Sequence, residues 1–212
     1  SAASDVYKRQ VHGYGSKVGD PLTSHPDVPI VSFTGGTDTG QHIAKVTAPM
    51  FKKLSLELGG KNPNIVFSDA KIDAAVSIAA RAAFTNQGQI CLCGSRLFVQ
   101  DEIYEKFKLK LVEKASKLIV GDPKNSTTHL GAVVSKENMN KILTKIKEAE
   151  SLGGKILLGG QQKILDGDLA DGYYIEPTII EGLNFDCSVN QEEIFGPVAV
   201  SYTHLRAHET TP

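Results

Sequence analysis

Short strand-like runs alternate with amphipathic helical segments along most of this chain, and glycine pairs separate several of them. The strand-like runs, rich in β-branched, leucine and aromatic residues, are residues 29–34, 53–58, 63–67 and 96–100. Apolar residues three and four positions apart predict helices, which we expect to begin at Asp69, Asp101 and Ser135 as N-caps. Strands that alternate with helices favour an α/β fold with a mainly parallel sheet.

Composition and charge exclude several classes of protein. The chain has 212 residues, 41% of them hydrophobic, and a formal net charge of −1, so nothing favours a nucleic acid or an anionic membrane as partner. No apolar run has the length of a membrane span. The three cysteines are an odd number, and two of them stand only two positions apart, which fits a reducing compartment. We therefore predict a cytoplasmic protein.

Both ends of the sequence differ in character from the rest. Residues 1–10 and 201–212 lack a strand or helix pattern, and the second segment carries two of the six histidines. We expect both to be artefactual flanks, of the kind translated from sequencing adapters. The alternative is a frayed native terminus at each end.

A glycine-rich turn lies between the first strand-like run and the helical segment that follows it. Its glycines are Gly35, Gly36 and Gly40. A helix that begins after such a turn directs its free N–H groups and the positive end of its dipole towards an anion. The pattern is not the GxGxxG fingerprint, so a phosphate site and an ordinary structural turn both remain open.

Two cysteines occupy a stretch rich in amide side chains, FTNQGQICLCGSR at residues 84–96. Cys91 is either a reactive thiol or a buried small hydrophobic residue. Cys91 and Cys93 share one face if the segment is extended and do not if it is helical. No second cysteine pair and no histidine at ligand spacing accompanies them, so we predict no metal site.

Two glutamates have settings that suit acid–base or binding roles. Glu57 stands between two leucines and before a glycine pair. Partial burial there would raise its pKa towards that of a useful general base. The alternative is a surface carboxylate on an edge strand. Glu193 precedes a turn signal, and on local evidence it is a solvated loop acid.

Four motifs together resemble those of the NAD(P)-dependent aldehyde dehydrogenases, in the order found in that family. They are SFTGGTDTG at 32–40, LELGGKNP at 56–63, NQGQIC at 86–91 and EIFGP at 193–197. The separation of 34 residues between Glu57 and Cys91 also matches. The ICLC form at 90–93 is similar to the branch that acts on 2-aminomuconic and 2-hydroxymuconic semialdehydes.

The resemblance implies a role for each matching residue. Cys91 would be the nucleophile, with its backbone N–H as an oxyanion donor, and Glu57 would activate the water that releases the acid. Glu193 would hold the nicotinamide ribose, and Phe195 would lie beside the nicotinamide ring. The remaining cofactor contacts would be Gly35, Gly36, Gly40 and Leu58. The implied cofactor is NAD, with NADP left open, and the implied substrate is a small aldehyde.

The resemblance also implies how the chain is organised. Residues 11–57 would be the C-terminal part of a Rossmann-like cofactor domain, and residues 58–200 an incomplete catalytic domain with a parallel sheet. The upstream asparagine that supplies the second oxyanion donor in the family has no counterpart here. We therefore expect a fragment that is inactive alone, from a full-length homodimer or homotetramer. The alternative is a non-catalytic protein that retains the fold for a structural or binding role.

Overall fold

The computed structural model describes residues 9–205. The chain divides into two compact units, Ser1–Gly59 and Gly60–Pro212. The division falls within the glycine pair that the sequence predicts as a break. Within residues 9–205, none of the helices has the length and apolar character that a membrane span requires.

The first unit is built around two parallel strands and one helix. Its elements are α1 (Asp20–Ser24), β1 (Ile30–Thr34), α2 (Thr37–Thr47) and β2 (Lys53–Glu57). The predicted strands at 29–34 and 53–58 are therefore confirmed. The two strands pair in parallel from Ile30 opposite Lys53 to Thr34 opposite Glu57. Helix α2 begins directly after the glycine turn, which is the predicted arrangement of strand, glycine turn and helix.

The second unit contains a five-stranded sheet with helices on both faces. Its elements are β3 (Pro63–Val66), α3 (Ile72–Phe84), β4 (Arg96–Gln100), α4 (Asp101–Ser116), α5 (Lys136–Ser151), β5 (Lys155–Leu158), β6 (Gln162–Lys163), β7 (Tyr174–Ile175), β8 (Thr178–Glu181), α6 (Ser188–Gln191) and β9 (Val198–Leu205). The strand order is β3-β4-β9-β8-β5, and β6 pairs with β7 separately. Only β5 runs antiparallel to its neighbour in the five-stranded sheet, so the predicted α/β fold with a mainly parallel sheet is confirmed.

Alternation along the strands produces a separate core on each face of this sheet. Leu97 and Val99 of β4 pack with the buried residues of α3 and α4, among them Phe84, Phe107 and Leu111. Phe98 points the other way and packs with the buried residues of α5, which include Met139, Ile142 and Ile146. Burial of both faces explains the consecutive apolar residues inside the strands, such as residues 97–99 and 198–200.

The first residues of three helices can be compared with the predicted N-caps. The Ser135 hydroxyl accepts a hydrogen bond from the Asn138 N–H at 3.2 Å, so this cap is confirmed. The predicted cap at Asp69 is wrong, because a turn closed by the Ala70 N–H on the Phe67 carbonyl delays the helix to Ile72. Asp101 is the first helical residue of α4, one position inside its N-cap.

The expectation that residues 201–212 lack a strand pattern is wrong for residues 201–205. They continue β9, and Leu97 and Phe98 of β4 pair in parallel with Ser201 and Tyr202. Ser201 is 3% exposed and Tyr202 is 4% exposed, so these two residues belong to the core. The rest of the predicted flank at that end, and residues 1–8 at the other, lie outside the described residues.

Candidate active site

The segment that carries Cys91 begins with an unusual backbone. After α3 ends at Phe84, residues Asn86, Gln87 and Gly88 all have positive φ, at 52°, 56° and 67°. Asparagine and glycine tolerate this conformation, whereas it is strained for glutamine. Two side-chain bonds help to hold the turn, since Asn86 Nδ2 donates to the Gln89 carbonyl at 3.0 Å and Gln87 Nε2 to the Ala132 carbonyl at 3.1 Å.

Gly88 meets the EIFGP motif through a close backbone contact. A Cβ on Gly88 would overlap the carbonyl oxygen of Gly196. Phe195, immediately before Gly196, also has a positive φ, of 54°, and its carbonyl accepts a hydrogen bond from Asn138 Nδ2 at 3.0 Å. Two motifs about a hundred residues apart in sequence therefore interlock.

Cys91 lies in a turn and is exposed. Its carbonyl accepts a hydrogen bond from Asn62 Nδ2 at 2.6 Å, and the same amide nitrogen reaches the Cys93 carbonyl at 3.3 Å. No hydrogen bond between described residues uses the Cys91 backbone N–H. The turn therefore presents both a thiol and an N–H donor, which is what attack on a carbonyl requires.

Cys93 is buried, whereas Cys91 is exposed. Cys93 is 8% exposed, and its Sγ donates to the carbonyls of Ala82 and Ala83 at 3.0 and 3.2 Å. Burial raises the pKa of Cys93 to about 11, and nearby Glu193 adds to the rise while Lys61 opposes it. The two cysteines do not share a face, and Cys93 is a structural thiol.

Lys61 lies beside this segment with its amino group buried. Among the described residues none accepts a hydrogen bond from its Nζ. Burial and, to a smaller extent, the charge of Arg96 lower the pKa of Lys61 from 10.5 to about 8. Cys93, Glu193 and Cys187 oppose this shift. Lys61, Cys93 and Glu193 line one narrow cavity, together with Gly88, Ile90, Phe195 and Gly196.

Glu193 contacts the glycine pair that follows β2. Its Oε1 accepts a hydrogen bond from the Gly60 N–H at 3.2 Å. Glu193 is exposed, and Phe195 is 37% exposed. Both predicted cofactor-contact residues are therefore accessible, as binding a ligand demands.

The other predicted site residues lie in the first unit. Glu57 ends β2, and its carbonyl accepts the Gly35 N–H at 3.0 Å. The expected partial burial of Glu57 is wrong: its side chain is exposed, as in the alternative of a surface carboxylate, and among the described residues β2 pairs with β1 alone. Gly36 is the N-cap of α2, whereas Gly40 is buried and a Cβ there would meet the Leu58 side chain.

The structure thus places Cys91, Glu193 and Phe195 in the second unit, and Gly35, Gly36, Gly40, Leu58 and Glu57 in the first. Sequence reasoning missed Asn62 and Lys61 as site residues. Both stand inside the LELGGKNP motif, which was the available signal, but their contacts with residues 91–96 are not visible in sequence. In the described part of the chain, no three His, Cys, Asp or Glu side chains are grouped as metal ligands.

Comparison with known families identifies the class. The profile of the Aldehyde dehydrogenase family matches residues 8–209, and this chain belongs to that family. The 2-aminomuconic semialdehyde dehydrogenase of Homo sapiens is 44% identical over 190 residues, which are 89% of this chain and 39% of that protein. Aldehyde dehydrogenase family 2 member C4 of Arabidopsis thaliana is 47% identical over 189 residues, 89% of this chain and 37% of that protein.

Solved structures give the same result. A crystal structure of betaine aldehyde dehydrogenase from Staphylococcus aureus, in complex with NAD+, matches with a TM-score of 0.87 and 41% identity. The match covers 91% of this chain and 38% of that one. The chain therefore spans about two fifths of the length of the relatives it matches, since 39% of the human protein is covered.

Proposed function

We propose that this chain is the nucleophile-bearing part of an NAD-dependent aldehyde dehydrogenase, which oxidises a small aldehyde to a carboxylic acid. The observation that carries the proposal is the convergence of three motifs in the second unit. Asn62 contacts the Cys91 turn, Gly60 contacts Glu193, and Gly88 contacts Gly196. Membership of the family supports the same reaction class.

The proposed domain boundary lies near residue 57. Residues 11–57 would complete a cofactor domain, and residues 58–200 would form most of the catalytic domain. The division of the chain at Gly59 supports this boundary. The artefactual flanks at residues 1–10 and 201–212 stay a prediction.

The first unit has features that fit a dinucleotide. A cavity of about 420 Å³ lies at the start of α2, with Phe33 as an apolar wall and with Thr39, Asp20 and Asp38 among its lining residues. Gly36, as N-cap, leaves the first amides of α2 without a side-chain cap. An aromatic wall, carboxylates for ribose hydroxyls and free helix amides are the groups that a nucleotide uses.

Cys91 opens the proposed reaction. Its thiolate attacks the aldehyde carbon, forming an S–C bond while the carbonyl electron pair moves onto oxygen. The Cys91 N–H donates to that oxyanion. When bound, NAD supplies the acceptor for the hydride that leaves the carbon and turns the adduct into a thioester. Glu193 and Phe195 would orient the nicotinamide end.

Glu57 completes the proposed cycle as general base. It takes a proton from water, whose oxygen attacks the thioester carbon. The C–S bond then breaks, and the thiolate leaves with the electron pair. The acid product is released and Cys91 is free for another turnover.

The individual relatives suggest a substrate, a cellular compartment and an oligomeric state for the whole protein. We propose a semialdehyde as substrate, because the human and mouse 2-aminomuconic semialdehyde dehydrogenases are among the relatives. We also propose a cytoplasmic homodimer or homotetramer for the whole protein. The chain alone would have negligible turnover and bind NAD weakly, which calorimetry with NAD measures. Binding with a micromolar dissociation constant would contradict this.

A hybrid enzyme tests the reaction. Residues 11–200 would replace the aligned region of the human relative, and aldehyde-dependent NADH formation would be followed by absorbance. We expect turnover in the hybrid and a loss of at least about a thousandfold in the Cys91→Ala and Glu57→Gln hybrids. A hybrid that binds NAD but does not turn over, or a Cys91→Ala hybrid that does, would refute the proposal.

A further inference from the structure

We propose that Asn62 is a positioning residue for the nucleophile, a role that rests on the function proposed above. Asn62 is half-buried and lies immediately before β3. It is the residue that joins the start of β3 to the Cys91 turn. Its contribution would be to hold the thiol and the oxyanion donor in one relative orientation.

Three hydrogen bonds link Asn62 to both ends of residues 91–96. Its side-chain nitrogen donates to the Cys91 carbonyl at 2.6 Å and to the Cys93 carbonyl at 3.3 Å. Its own carbonyl accepts the Arg96 N–H at 3.2 Å. Arg96 begins β4, which pairs in parallel with β3 from Pro63 onward. The turn is therefore tied to the sheet through one side chain.

Fixing the Cys91 carbonyl restrains the peptide plane that follows the nucleophile. This anchors the Cys91 backbone to the start of β3, and the Cys91 torsions φ and χ1, which set the direction of Sγ relative to the Cys91 N–H, then have less freedom to change. A backbone bond from the Cys93 N–H to the Ile90 carbonyl, at 2.9 Å, closes the turn, and the Asn62 side chain fixes the closed turn to the start of β3. Without the amide donor, the turn samples orientations in which thiol and N–H do not face the same carbonyl carbon and oxygen.

This role separates two reactions of the same thiol. Attack on an ester carbonyl needs both Sγ and the oxyanion donor, so it depends on their relative orientation. Alkylation by iodoacetamide needs only an accessible thiolate, because the carbon–iodine bond breaks and iodide leaves with the electron pair. A positioning residue therefore affects acylation and leaves alkylation unchanged. A residue that merely stabilises the fold affects both, or exposes Cys93.

The experiment uses the 212-residue chain and p-nitrophenyl acetate. The Cys91 thiolate attacks the acetyl carbon, an S–C bond forms, and p-nitrophenolate leaves with the electron pair of the broken C–O bond. The first-turnover release of p-nitrophenolate gives the acylation rate, and peptide mass spectrometry gives the alkylation rates of Cys91, Cys93 and Cys187 separately. The variants are Asn62→Ala and Asn62→Ser, where the serine hydroxyl keeps one donor.

Asn125→Ala is the matched control. It removes an asparagine that bonds the Thr127 N–H and hydroxyl in an exposed turn. We expect acylation of Cys91 to fall about tenfold in Asn62→Ala, by less in Asn62→Ser, and not at all in the control. Alkylation of Cys91 should stay within about twofold of the unaltered chain. If Asn62→Ala exposes Cys93 to alkylation, that variant disturbs the fold, and the acylation rate of Asn62→Ser is used to test the positioning role.

Each outcome bears on one of the two proposals. Unchanged acylation in both Asn62 variants, or a parallel change in acylation and alkylation, would overturn the positioning role and leave the proposed function intact. An unaltered chain whose Cys91 alkylates but does not acylate would also overturn the positioning role, because thiol and N–H would then not act together in the turn. Absence of turnover in a hybrid enzyme that binds NAD would overturn the proposed function, and this inference with it.

Discussion

The backbone N–H of Gly60 donates a hydrogen bond to Oε1 of Glu193 at 3.2 Å, although 133 residues separate the two. Two residues further on, Asn62 holds the carbonyl of Cys91. The segment from Gly60 to Asn62 therefore contacts both the turn that carries Cys91, the proposed nucleophile, and Glu193, the residue proposed to bind the nicotinamide ribose. Movement of this segment would therefore disturb both the Cys91 turn and the position of the Glu193 carboxylate.

Gly88 should be among the least replaceable residues of the second unit. In Gly88→Ala, the new Cβ would overlap the Gly196 carbonyl, and the φ of 67° is strained for alanine. We expect the free energy of unfolding to fall by about 2–4 kcal/mol, together with slower acylation of Cys91. Urea titration followed by circular dichroism measures the first effect.

Gly19→Ala is the control for that substitution. Gly19 has a φ of −65°, and a Cβ there would have no heavy atom within 4 Å. Its effect should stay within about 0.5 kcal/mol. Equal effects of the two substitutions would show that the contact between Gly88 and Gly196 does not constrain the site.

Cys91 and Cys93 should differ sharply in reactivity at pH 8. The thiolate is the reacting form, and a pKa of about 11 leaves roughly a thousandth of Cys93 ionised at that pH. We expect iodoacetamide to label Cys91 at least about tenfold faster than Cys93 in the folded chain, by peptide mass spectrometry. In urea the difference should disappear. Equal labelling rates without denaturant would contradict the structural assignment of Cys93.

The strands and helices of this fold follow from local sequence, but some of their ends do not. The helix from Lys136 was predictable because its cap is a local bond between Ser135 and Asn138. The end of β9 was not, since residues 201–205 have no apolar alternation. Their strand conformation comes from pairing with β4, which lies about a hundred residues upstream.

The site shows the same limit of sequence reasoning. Motif order predicts Cys91 as the nucleophile, whereas its local pattern alone favours a buried structural thiol. The roles of Asn62 and Lys61 depend on contacts across the fold, and no periodicity encodes such contacts. The local pattern of Glu57 left partial burial and exposure both open, because the choice depends on what packs against β2 in the fold.

Glu181 should make the second unit sensitive to acid. Partial burial alone raises the pKa of Glu181, but its hydrogen bond and ion pair with Lys108, at 2.9 Å, and a bond from Tyr104 hold it below the ordinary value. The folded chain therefore binds this proton less readily than the unfolded chain. The stability that results is present above the ordinary glutamate pKa and is lost as pH falls below it.

Glu181→Gln should therefore destabilise the chain at pH 7 by about 1–2 kcal/mol, because Lys108 loses the less exposed of its two carboxylate partners and keeps only Glu105. The difference from the unaltered chain should shrink at pH 3, as urea titrations at the two pH values would reveal. Glu113→Gln is the control, since its ion pair with Lys117 is 66% and 68% exposed and should contribute nothing measurable. A pH-independent effect of Glu181→Gln would contradict the ion-pair explanation.

Lys61 should lower the free energy of unfolding at neutral pH. Its pKa is lowered to about 8 in the folded chain, against 10.5 ordinarily, because its amino group is buried and Arg96 lies nearby. At pH 7 the folded chain holds a buried ammonium group without a hydrogen-bond acceptor among the described residues. This cost diminishes as pH rises from about 8 to 10.5, where the folded chain has released the proton and the unfolded chain has not.

Lys61→Met should accordingly raise the free energy of unfolding at pH 7 by roughly 1–3 kcal/mol, and the gain should vanish above pH 10.5. Lys141→Met, at an exposed position of α5, should give a small change that does not vary with pH. Urea titrations from pH 7 to 11 would compare the two. Destabilisation by Lys61→Met at pH 7 would mean that the ammonium group has a favourable partner. The predicted gain would instead mark Lys61 as a residue kept at the expense of stability, beside Cys93 and Glu193, where the proposed chemistry takes place.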